Sequence, residues 1–153
     1  MASISYEDIY SMFLSSVTDY HLINMDASDI YDQFKEMVHK TAAEPYVRRL
    51  FSSISFHDEI MVLEYEMKKS TNEAADQDFV VNLFAKGMIV EWVKPQVNKT
   101  SLTAQLFAGK EQKMYSQAQH LSEMKGLLDN ARIEMRKMIT ERDFIYNSYL
   151  EDA

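Results

Sequence analysis

The 153-residue chain contains no cysteine. Disulfide frameworks, thiolate metal sites and cysteine nucleophiles are therefore excluded together. Proline occurs twice and glycine three times, against usual shares of roughly 5% and 7%. Tight turns are scarce, and a mainly helical fold is expected. Gly87, Gly109 and Gly126 stand far apart, so no glycine-rich loop exists to bring backbone amides onto a phosphate, and nucleotide binding is disfavoured. No apolar run approaches the ~18 residues of a membrane span. The first twelve residues carry acids and tyrosines where a secretory signal would carry bases and an apolar stretch. A soluble protein made in a cytoplasm, with no membrane partner, is the expectation, and the sequon Asn98-Lys99-Thr100 is read as chance.

Positive charge is missing from the front of the chain. Residues 1–34 hold six acids and no Lys or Arg, whereas residues 94–142 hold nine bases against five acids. Residues 143–153 are acidic again, and the whole chain carries a formal charge of -8. That sign is wrong for a protein that wraps nucleic acid by neutralising phosphates. An acidic front and a basic back suggest self-association through complementary faces, or different partners at different ends. Apolar residues make up 46% and charged residues 26%, which places the chain among globular proteins. Its length predicts one domain with a core that needs no staples. The 11 Met, 9 Tyr and 8 Phe suit core filling and also adaptable contact surfaces.

Ser5 can cap a first helix over residues 6–16, in which Tyr6, Ile9, Tyr10, Phe13, Leu14 and Val17 fall on one face. Asp26 caps a second, whose stripe is Ile30, Tyr31, Phe34, Met37, Val38 and Thr41, ending near Ala43 because Pro45 constrains the residue before it. Pro45 can open a short helix or a kinked continuation over Tyr46 to Phe51. Residues 52–69 alternate in the two-residue period of a strand, favouring a hairpin around His57-Asp58 over a helix capped by Ser55. Lys68 to Asp78 reads as an exposed polar connection. From about Gln77, the residues Phe79, Val80, Leu83, Phe84, Met88, Trp92 and Val93 surround a helix with apolar side chains. This is the expected central buried helix, ended by Pro95. Gly87 within it costs about 1 kcal/mol relative to Ala, which is tolerable if another backbone packs closely there. Residues 98–109 lack periodicity and read as a long loop.

The last element is the longest. Met114, Leu121, Met124, Leu128, Ala131, Met135 and Met138 step by threes and fours, giving a helix over 112–142 with a coiled-coil-like seam. At 1.5 Å per residue it is about 45 Å long, more than a domain this size is wide. Leu121, Met124, Leu128, Met135 and Met138 are accordingly expected at an interface between subunits. Beyond it, Phe144, Ile145, Tyr146, Tyr149 and Leu150 crowd apolar anchors into residues 143–153, which reads as a docking tail attached to a single domain of residues 1–142.

Chemical signatures are weak throughout. His21, His39, His57 and His120 match no triad signature. His120 with Glu123, and His57-Asp58-Glu59, fall short of three metal ligands and read as solvated surface. Asp76 and Asp78 alternate as in a calcium loop but lack its glycine and its later glutamate. Glu64 and Glu66 share one strand face and read as solvation. Lys94, Lys99, Lys110, Lys113, Lys125, Arg132, Arg136, Lys137 and Arg142 could meet phosphate, but interspersed acids make an ordinary mixed helix surface an equal reading. An enzyme is not expected, and no catalytic, cofactor or metal residue is proposed.

Tyr6-Glu7-Asp8-Ile9-Tyr10 with Phe13-Leu14, Pro45-Tyr46-Val47-Arg48-Arg49-Leu50-Phe51, Gly87-Met88-Ile89-Val90-Glu91-Trp92, Gly109-Lys110-Glu111-Gln112-Lys113 and Ile145-Tyr146-Asn147-Ser148-Tyr149-Leu150 resemble segments of tailed-bacteriophage head-to-tail connectors, the adaptors that dock as a ring under the portal. The resemblance touches most of the chain, and its motifs are structural rather than chemical. It implies a small helical bundle around a central helix, with an aromatic late in that helix matching Trp92. It also implies a homo-oligomeric ring, dodecameric like the portal, placed in the virion neck between capsid and tail. Portal protein and a head-closure or stopper protein would be its partners, and DNA would pass through without specific binding. The long C-terminal helix and tail depart from the adaptor pattern. The alternative from another class is a cytoplasmic coiled-coil chaperone or regulator that dimerises through the 112–142 helix.

Overall fold

The computed structural model describes residues 2–16, 27–70, 72–106 and 111–145. A short strand β1 (Ala2–Ser5) leads directly into α1 (Tyr6–Ser16). Then come α2 (Ala27–Ala43), the one-turn α3 (Pro45–Arg48), the hairpin strands β2 (Phe51–His57) and β3 (Val62–Met67), and two long helices, α4 (Glu73–Leu106) and α5 (Glu111–Ile145). The fold is mainly α with a small antiparallel sheet in the order β1-β3-β2.

Local chemistry accounts for most boundaries. The Ser5 hydroxyl accepts from the Glu7 amide at 3.2 Å, satisfying one free donor at the start of α1. Glu44 adopts an extended conformation before Pro45, which ends α2 and lets proline open α3. The hairpin turn after His57 closes with Met61 in the left-handed region at φ 53°. Its amide then donates to Asp58, and its carbonyl accepts from the Tyr6 amide at 2.8 Å, stitching β1 to the hairpin. The registers Ile4↔Leu63, Ala2↔Tyr65, Ile54↔Tyr65 and Phe56↔Leu63 collect these apolar side chains on one face, against the helices. Ser3, Ser5, Ser55, Glu64 and Glu66 take the other.

The core is built around α4. Val80, Leu83, Phe84, Ala85, Met88, Ile89, Val90 and Val93 are all buried, as a helix apolar around its circumference requires. Onto it pack Tyr6, Ile9, Tyr10 and Phe13 of α1, Phe34, Met37 and Val38 of α2, Leu63, Tyr65 and Met67 of β3, and Leu128, Ala131, Met135 and Ile139 of α5. Where α2 crosses α4, Gly87 lies against Thr41, and a β-carbon added there would sit 2.8 Å from the Thr41 Cβ. The close neighbour of this glycine is a threonine side chain, not the backbone expected there.

Three expectations are corrected. Pro95 does not end the central helix, which runs on to Leu106 and takes in most of the residues read as a loop; Gly109 lies outside the described residues. Proline costs the helix about 3 kcal/mol, but Val93 is buried before it and Val97 packs on the core after it, so both flanks are held. The Gln96 side chain also donates to the Trp92 carbonyl at 3.2 Å. Second, α4 begins at Glu73, capped by Asn72, whose side chain accepts from the Ala75 amide at 2.8 Å. The exposed connection is therefore only a few residues long, and Asp76 is buried. Third, β1 had no counterpart in the sequence reading. Leu14 and Tyr31, assigned to apolar stripes, remain exposed, while Val17 and Asp26 lie outside the described residues.

Candidate interaction surfaces

Two polar clusters fix the fold's joints. At the hairpin turn, Asp58 accepts from the Tyr6 hydroxyl at 2.6 Å and faces His39 Nε2 at 2.9 and 3.1 Å. The His39 ring lies 4.2 Å from that of Phe56. Partial burial would raise the Asp58 carboxyl, but hydrogen bonds from Tyr6 and His39 and the charges of His39 and Lys35 outweigh it and hold the group below its usual value. Burial first, and Asp58 second, push the Tyr6 and Tyr10 hydroxyls well above the ordinary tyrosine range. Asp58 thus latches the turn to α1 and α2. His57 turns to Glu64 at 3.4 Å, so the sequence neighbours His57 and Asp58 serve different partners.

At the other end, Arg142 of α5 meets Asp76 of α4 at 2.8 Å, donates to the Lys69 carbonyl and lies over the Phe79 ring at 4.7 Å. Asp76 also accepts from Ser70. Asp76 and Asp78 are thereby separated: the first is half of a buried ion pair, the second is exposed on α4. No group of three potential metal-ligating side chains converges among the described residues. No described helix is long and apolar enough to cross a membrane. The Asp76–Arg142 pair escaped the sequence reading because nothing local signals a contact across 66 positions.

The seam of α5 is placed inside the chain. Leu128 is 8% exposed and Met135 1%, both in the common core, with Ala131 and Ile139 beside them and Met124 and Met138 packed at its edge. The Tyr46 hydroxyl contacts the Met135 sulfur at 4.0 Å. The premise that one small domain cannot cover these side chains is therefore corrected: α4 and α3 cover Leu128 and Met135. The Leu121 side chain lies outside the described residues. Of the tail anchors, Phe144 and Ile145 fall in the last turn of α5, three residues past the expected end, with side chains outside the described set. Tyr146, Tyr149 and Leu150 lie outside the described residues altogether.

Among the described residues, open apolar surface occurs at Ile60 in the hairpin turn, 69% exposed, beside α1 and on α5. Two grooves flank the acidic helix α1. One, of about 300 Å³, is lined by Glu7, Tyr10, Leu14, Ile30, Tyr31 and Phe34. The other, of about 380 Å³, runs between α1 and α4 past Asp8, Met12, Asp78 and Val81. On α5, Leu127 and Ile133 are 46% and 59% exposed, among charged residues. The grooves and this stretch of α5 set apolar side chains beside charged ones. No protein-family model, curated protein or solved structure matches the chain.

Proposed function

We propose that the protein is a structural component of a tailed-bacteriophage neck, forming a ring that joins the portal to the head-closure and tail components around the DNA channel. The observation that carries this reading is where the resembling segments fall. Tyr6 to Leu14 is α1, Pro45 to Phe51 is α3 and the entry to β2, and Gly87 to Trp92 is the stretch of α4 that begins where α2 crosses it. Three of the five resembling segments thus lie in α4 or in elements that pack around it, and the other two, residues 109–113 and 145–150, fall largely outside the described residues. Trp92 departs from the pattern, since it sits near the middle of α4 rather than late in the central helix.

The contact surfaces support the same reading, because a ring subunit needs faces for its neighbours and for the rings above and below. The coiled-coil regulator is less favoured: the seam through which it would dimerise is occupied by the chain's own α4. A channel wall must let a polyanion slide, and a net charge of -8 suits that better than a sticky basic surface. Imaging purified particles with the protein tagged tests the proposal. Density for a ring at the neck is expected; absence from particles, with a monomer or dimer in native mass spectrometry, would overturn it.

A further inference from the structure

The two edges of α5 are charged with opposite signs. At about 100° per residue, Lys125, Arg132 and Arg136 fall within an arc of about 40° on one side of the buried face. Glu123, Glu134 and Glu141 fall within an arc of about 20° on the other, roughly 165° away around the helix. All six are exposed or half-buried, as they must be to meet a partner. Leu127, 46% exposed, lines the acidic edge, and Ile133, 59% exposed, lies between the two. Asp129 interrupts the basic edge, exposed Lys137 falls about 40° from the acidic edge, and Lys86 of α4 pairs with Glu134. The edges still keep opposite net signs.

From this geometry, and resting on the ring reading above, we infer that α5 is the subunit-to-subunit contact, with the acidic edge of one copy lying against the basic edge of the next. A surface whose complement lies on the opposite side of the same helix makes a heterologous contact, the kind that closes into rings. Heights along the helix also match. Cyclic symmetry allows no shift along the ring axis, so where the helices stand along that axis each residue is level with its own copy next door. Glu134 is then level with the gap between Arg132 and Arg136, and Glu123 lies about 3 Å along the axis from Lys125. Single exposed ion pairs contribute little; a repeated edge with Leu127 beside it adds apolar area to several charges at once. The occupant is a second copy of this chain, because the complement to each edge is carried by the same chain at the same height.

Paired charge reversals in the full chain test this. One variant carries Lys125→Glu, Arg132→Glu and Arg136→Glu, making both edges acidic. The other carries Glu123→Lys, Glu134→Lys and Glu141→Lys, making both basic. Circular dichroism should show both folded, since none of the six belongs to the core. In native mass spectrometry at low ionic strength the wild type should form rings. Each variant alone should lose at least tenfold in assembled fraction, and an equimolar mixture should recover rings of the two in alternation. If wild-type chains assemble and either variant assembles equally well alone, or the mixture fails to recover, the edge contact is wrong while the ring reading stands. If wild-type chains form no ring, the edge contact is wrong, and the ring reading falls with it when the protein is also absent from particles.

Discussion

A single methyl group separates two glycines in long helices. Replacing glycine by alanine in a helix interior is ordinarily worth about 1 kcal/mol, and at Gly126 a new β-carbon would meet nothing within 4 Å. Gly126→Ala should therefore raise stability by roughly 0.5–1 kcal/mol. At Gly87 the same carbon runs into Thr41, which is 1% exposed and tethered by its own hydroxyl to the Met37 carbonyl at 2.9 Å. Overpacking costs of ~1–3 kcal/mol outweigh the propensity gain, so Gly87→Ala should lower the denaturant midpoint, and Thr41→Ala in the same chain should restore only part of it, because the Cβ of residue 41 still lies 2.8 Å from the added carbon. A stabilised Gly87→Ala would mean that the α2–α4 crossing is looser than the geometry implies. Asp58 makes a second prediction at this scale. Its carboxyl is held below the usual value in the folded protein. Its contribution is therefore complete above the unfolded carboxylate pKa, near 4, and is lost as the pH falls through the lower folded value. Wild type and Asp58→Asn should differ most in melting temperature near neutrality, and the gap should narrow on acidification below about pH 4. A gap that stays constant from neutral pH to pH 2 would remove Asp58 from the acid response.

Burial of Leu128 and Met135 makes substitutions along the α5 seam a matter of folding before assembly. Glutamate at Leu128 and Met135 would place two carboxylates in the core beside Ala131 and Ile139, and unpaired buried charge is among the costliest changes a domain can suffer. The double variant Leu128→Glu with Met135→Glu should lose cooperative thermal unfolding, rather than remain folded and merely fail to assemble. A folded variant that does not form rings would return the seam to the subunit interface. The period of the seam was legible in the sequence; what it packs against was not, because an apolar stripe looks the same facing its own domain or another. Helix α1 was readable to both ends since Ser5 and the Tyr6, Ile9, Tyr10 and Phe13 spacing are local signals. The hairpin was readable from its alternation. Strand β1 was not, for a four-residue stretch acquires strand character only by pairing with β3, some sixty positions away. The passage of α4 through Pro95 was hidden for a related reason: local propensity says stop, and packing of Val93 and Val97 on either side overrides it. Among candidate contact residues, the charges on α5 were visible individually. Their division into two edges required knowing which face the helix buries.

For the whole molecule, the joints matter more than the elements. α4 begins beside the Asp76–Arg142 pair, and that pair also fixes α5 three residues before its last described position, Ile145. Breaking such a buried pair by removing one partner costs about 3–5 kcal/mol, so the fold depends on the chain up to Arg142. Residues 146–153 come after every contact in the described core, yet bring Tyr146, Tyr149 and Leu150 next to Glu151 and Asp152. Aromatic side chains in that density are the kind of anchors that dominate binding when seated in a partner's pocket. Left in water they would form an apolar patch that a monomer rarely tolerates. Truncation after Ile145 should accordingly leave the melting temperature within about 2 °C of the full chain, since ~1 kcal/mol would already shift a domain of this size by 2–4 °C. In the proposed neck assembly the truncated chain should still form rings through the edges of α5, and should fail to enter particles. A fall in melting temperature of 5 °C or more would instead make the tail part of its own core, and normal incorporation would show that docking resides elsewhere, with the grooves beside α1 the next surface to probe.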